Sequence, residues 1–151
     1  MANVPTVTAV EALYVILGGI IALGGSIYMS RIEARRDRRL HIYEHELPAV
    51  RALVVMIVDA VETNPNPGSY EGVVNQLLEA TYDLVRQAAL AGKAIKELAA
   101  LVRSKAQDVR RLHDEIGHRH DRWDPTRFAD AVAAVMEPGY QLELELARRL
   151  G

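Results

Sequence analysis

Apolar positions follow two different patterns along this 151-residue chain. From Ala12 to Met29 there is no alternation: eighteen residues run without a formal charge and without a polar face. A helix of that length spans roughly 27 Å at about 1.5 Å per residue, close to the hydrocarbon thickness of a bilayer. Tyr14 and Tyr28 stand near its two ends, where amphipathic rings sit comfortably at headgroup level. A buried helix of a soluble domain normally keeps a polar face, and this stretch has none. A cleaved signal peptide is the other alternative. Ala22-Leu23-Gly24 loosely fits a small-x-small cleavage site, but residues 2–11 hold no Lys or Arg, only Glu11. The pattern therefore predicts a transmembrane helix over 12–30 after a short tail, 1–11.

Beyond residue 46 the apolar positions recur at helical intervals. Leu47, Val50, Val54, Ile57 and Val61 make one seam, with Pro48 tolerable in a first turn or at a kink. "TNPNPGS", residues 63–69, predicts a loop, with Ser69 able to cap the next helix. Tyr70, Val74, Leu77, Thr81, Leu84 and Ala88 share a second face, and Ala91-Gly92 predicts a break. A third seam is Ile95, Leu98, Val102, Lys105, Val109, Leu112 and Ile116, with Lys105 as its polar exception. Asp124-Pro125 predicts a helix start. Phe128, Ala131, Val132 and Val135 then point inward, and Pro138-Gly139 predicts an interruption. "LELELARRL" alternates like a strand, but no other segment offers it a partner strand, and Leu and Glu favour helix. The expected fold is all-α: a single transmembrane helix, a basic juxtamembrane helix over 31–46, and a cytoplasmic antiparallel helical bundle over 47–151.

Charge gives this arrangement a direction. Arg31, Arg35, Arg36, Arg38 and Arg39 come directly after the apolar run, and nothing upstream competes. Positive residues near a span stay on the cytoplasmic side, so the N-terminus is expected outside and residues 31–151 inside. The same arginines can meet anionic membrane lipids. Arg outnumbers Lys fifteen to three, a codon signature suggesting a GC-rich bacterial or phage genome, and the membrane expected is the bacterial inner membrane. Net charge is only −2, and the basic stretch 93–111 lacks interleaved aromatics, so no nucleic-acid partner is expected. That stretch comes after an acidic one between Ala52 and Val85, which suggests that the two pair within the bundle.

Glycine placement suggests what the span does. Gly18, Ala22, Ser26 and Ser30 recur every four residues, and Gly25 widens the stripe. In lipid, small residues let helix backbones approach closely. The stripe predicts packing against another subunit's helix or against a second copy of this chain.

Candidate chemistry is sparse. "HIYEH" matches the His-x-x-Glu-His pattern of inverted zinc peptidases: His41 and His45 as ligands, Glu44 as general base, and Glu115 or Asp121 as a third ligand. Three specified positions are a weak match, and Pro48 lies close behind. The region His113–His120 places Asp114, His118 and Asp121 on one helix face, but Gly117 weakens that helix. Trp123 is expected to pack under the Asp124-Pro125 start. The chain has no cysteine, no phosphate-binding glycine loop and no nucleophilic triad order. No catalytic residue or cofactor is expected. The sequence predicts a binding protein, a scaffold or accessory subunit of a membrane assembly. A membrane zinc peptidase, a phage lysis accessory protein and a signal-relay module are the alternatives.

Overall fold

The computed structural model describes residues 9–64, 66–117 and 123–151. All regular structure in the described residues is helical: α1 (Ala9–His41), α2 (Leu47–Thr63), α3 (Glu71–Ala88), α4 (Lys93–Gly117), α5 (Pro125–Ala133) and α6 (Met136–Leu150). A π-helical turn, Ile42–Glu46, joins α1 to α2, and a short 3-10 turn, Pro67–Ser69, precedes α3. Contacts divide the chain into two compact units, 1–34 and 35–151.

In the first unit, α1 is exposed all round. Every side chain from Glu11 to Ala34 is exposed, including Val15 at 74 %, Ile21 at 72 % and Leu23 at 66 %. It is one helix near the N-terminus, long and apolar enough by length and composition to cross a membrane.

The second unit is a bundle whose four corners are α2, α3, α4 and the pair α5–α6. Each corner touches the next, while α2 and α4 stay apart, as do α3 and α5–α6. Short connections reverse the chain at each step, which makes neighbours antiparallel. The core lies on the predicted faces. Leu47, Val50, Val54, Ile57 and Val61 are buried on α2, and Val74, Leu77, Thr81, Leu84 and Ala88 on α3, with Tyr70 buried just ahead of it. Thr81 satisfies its hydroxyl by donating to the Leu78 carbonyl at 3.0 Å. At the α3–α4 reversal Gly92 adopts φ +132°, a region that side chains avoid.

Several expectations are corrected. Lys105 is exposed; the buried face of α4 runs through Ala99, Val102, Ala106, Val109 and His113, with Leu98 and Leu112 at its margins. The small Ala99 and Ala106 sit in the centre of that face and the larger leucines flank it. Pro138-Gly139 does not interrupt a helix. The break falls at Ala134-Val135, and Pro138 occupies the first turn of α6, where its missing N–H would have had no helical acceptor. Gly139 packs against Leu47, and a Cβ there would lie 3.1 Å from the Met136 methyl. Ser69 caps no helix: its hydroxyl donates to the Asn66 carbonyl at 2.6 Å, and Tyr70 takes the N-cap position without a side-chain bond. Asp124 does cap α5, accepting from the Arg127 N–H at 3.1 Å. "LELELARRL" is helical, with Leu142 and Leu146 buried and Leu144 outside.

Residues 35–46, the greater part of the basic segment 31–46, fall in the same compact unit as the bundle. The π turn explains part of this. In a continuous α-helix the Pro48 ring would crowd the carbonyl of residue 44. Here the Leu47 N–H reaches back to the Ile42 carbonyl, five residues away, and both side chains become core.

Candidate functional site

Gly18, Ala22, Gly25, Ser26 and Ser30 are exposed on α1, and nothing approaches the Cβ positions of Gly18 or Gly25 within 4 Å. The four-residue spacing keeps Gly18, Ala22, Ser26 and Ser30 along one side of the helix.

The arginines divide by role. Arg31, Arg35 and Arg36 are exposed. Arg38 and Arg39 are half-buried and hold the end of α1 against the end of α3. Arg38 Nη1 donates to Gln87 Oε1 at 3.0 Å, and Arg39 Nε donates to the Ala91 carbonyl at 2.9 Å. Burial lowers the Arg39 pKa from its ordinary value, and the nearby charges of Arg149 and Arg35 lower it further, while Glu145 opposes them. Glu145 is itself held below the usual carboxylate range by hydrogen bonds from Arg148 and Arg149. The two structural arginines were not separable from the other three by sequence. Only the partners, more than forty-five residues away, distinguish them.

The His-x-x-Glu-His stretch enters the π turn. The His41 and His45 rings stand 4.9 Å apart, tilted by 51°, and His41 Nε2 is 3.1 Å from Glu46 Oε1. Among the described residues no group of three or more His, Asp or Glu is arranged to hold a metal. Glu115, one proposed third ligand, lies exposed near the far end of α4. His118, His120 and Asp121 lie outside the described residues. His113 is buried and packs on Phe128, with ring centroids 6.2 Å apart. Trp123 completes an aromatic cluster, 5.4 Å from Phe128 and 6.1 Å from Tyr70. These rings close the end of the bundle where α3 and α5 begin. Burial there raises the Tyr70 pKa.

Only part of the acidic stretch faces the basic one: α3 packs on α4, whereas Asp59 and Glu62 lie on α2, which does not touch α4, and the ion pairs run along the helices. Asp83 pairs with Arg86 at 3.2 Å, Asp108 with Arg111 at 3.0 Å and Asp114 with Arg110 at 2.9 Å. Between α3 and α4, Arg103 lies over the Tyr82 ring at 4.8 Å and Arg110 bonds the Asn75 amide. Arg51 on α2 pairs with Glu143 on α6. An open groove of about 520 Å³ between α2 and α5 is apolar apart from Glu62, Thr126 and Asp130.

No family model, curated protein or solved structure matches this chain.

Proposed function

We propose that this chain is a single-pass membrane protein that acts by binding, as a scaffold or accessory subunit of a membrane assembly. Residues 12–30 span the bilayer, the N-terminus lies outside, and the bundle lies on the cytoplasmic side, in a bacterial inner membrane. The observation that carries this reading is the complete exposure of the α1 apolar stretch: its large side chains have no protein neighbour to hide them. A contiguous apolar surface of that kind marks a membrane or partner contact. Arg31, Arg35 and Arg36, exposed just after the run, supply the orientation. The stripe of Gly18, Ala22, Gly25, Ser26 and Ser30 supplies the helix-packing face, toward a second copy or another subunit.

Cross-linking in native membranes tests it. The expected result is a discrete cross-linked species, weakened by Gly18→Leu with Gly25→Leu, which fill the stripe. A strictly monomeric chain with no partner overturns the scaffold role. A chain that stays soluble without detergent overturns the anchor.

A further inference from the structure

We propose that one end of the bundle is a docking surface for anionic lipid headgroups, formed by the last turns of α1, the α3–α4 turn and the first turn of α4. This rests on the membrane-anchor reading above and adds to it a specific lipid-facing surface on the folded unit. The α3–α4 turn is fixed there by two bonds, Arg38 to Gln87 and Arg39 to the Ala91 carbonyl. That fixation ties the tip of the turn to the last turns of α1, and α4 starts two residues further on, at Lys93. Leu90, at the tip, is 58 % exposed although large and apolar. Lys93 and Lys96, on the first turn of α4, are exposed, and so are Arg35 and Arg36.

Arg149 arrives at the same end from the last turn of α6, close enough for its charge, with that of Arg35, to act on Arg39. Glu145 is the carboxylate that opposes them at Arg39, and it is already shared between Arg148 and Arg149, while Asp37 is the one acid among the bases on the last turns of α1. Lys93 has only a loose pair with Glu97, at 3.9 Å. Gathering like charge on one end of a folded unit is self-repulsive, and an external anion relieves it. Chain order says which anion is at hand. Arg35 comes six residues after Met29, the end of the apolar run. The negative potential of a cytoplasmic leaflet acts over about a Debye length, roughly 8–10 Å. An apolar side chain flanked by bases is also the composition of an interfacial contact.

The chain has no cysteine, so Ala89→Cys, at an exposed site beside Leu90, takes a single fluorophore. The labelled full-length protein is reconstituted into vesicles carrying nitroxide on their headgroups, of phosphatidylcholine alone or mixed with phosphatidylglycerol. Quenching is expected to be about twofold stronger with phosphatidylglycerol and to fall back at about 1 M salt. Lys93→Gln with Lys96→Gln, or Leu90→Gln, should weaken it, while a label at Leu101→Cys on the exposed face of α4 should not respond. Equal quenching in the two lipids, or no effect of the lysine pair, overturns the proposal while a carbonate-resistant chain leaves the anchor intact. A chain released by carbonate overturns both.

Discussion

Residues 12–30 and helix α3 are nearly equal in length and opposite in design. In α3 the apolar residues keep to one side, and Leu77 and Leu84 are wholly buried while Glu71 and Asn75 face out. In residues 12–30 they surround the helix, and none is covered. The contrast teaches that apolar content and apolar periodicity answer different questions. Periodicity says which way a helix faces inside its own protein. Content without periodicity leaves no polar face for water, so either a membrane or other protein has to cover such a helix all round.

Equivalent substitutions in the two regions should therefore have unequal effects. Leu84→Ala empties a fully buried site and should cost about 2–5 kcal/mol in denaturant unfolding of the bundle. Leu23→Ala, at an exposed site, should leave the same unfolding midpoint unchanged; a matching loss would erase the distinction. Leu23→Arg acts in the other direction. It should oppose insertion by about 2.5–3.5 kcal/mol, read as a loss of flotation with vesicles, while the bundle still unfolds normally. At the reversal between α3 and α4, Gly92→Ala forces a side chain into φ +132° and should cost about 1–3 kcal/mol. Removing the cap with Asp124→Ala should cost about 1 kcal/mol.

The smallest effect is pH-dependent. The Glu145 folded-state pKa lies below its ordinary 4.5. Its contribution to stability is complete above that value and disappears as pH falls through the folded one. Glu145→Gln should thus reduce stability slightly near neutrality, and the difference should shrink as pH falls below 4.5. An effect that does not shrink on acidification would show that its bonds to Arg148 and Arg149 do not depend on charge.

The faces of α2 and α3 were legible because large apolar residues alone fill most of their buried positions. On α4 the same logic erred. Val102 to Val109 can be bridged through residue 105 or 106, and both spacings are helical. The buried choice is Ala106, because a small residue permits close approach to the neighbouring helix, and Leu98 and Leu112 then cover the margins. Pro138-Gly139 resembled a turn because sequence shows residue types and not their partners. Both residues are buried in the first turn of α6. The arginines were legible as a group, yet their division between Arg38 and Arg39 inside and Arg31, Arg35 and Arg36 outside depends on Gln87 and Ala91, which no local pattern links to them. The π turn was illegible for a similar reason. Pro48 announces a disturbance, but a kink, a new start and a widened turn all accommodate it.

That widened turn sets an angular phase. Each residue of an α-helix advances its side chain by about 100°. The bond from Leu47 back to Ile42 stores one residue more than an ordinary turn, so the stretch works like a vernier between Arg39 and the first core leucine of α2. Deleting one residue from 42–46 would leave a continuous chain with its gears mismatched. Arg38 and Arg39 would swing off their anchors while nearly every residue of the bundle core remained in the sequence.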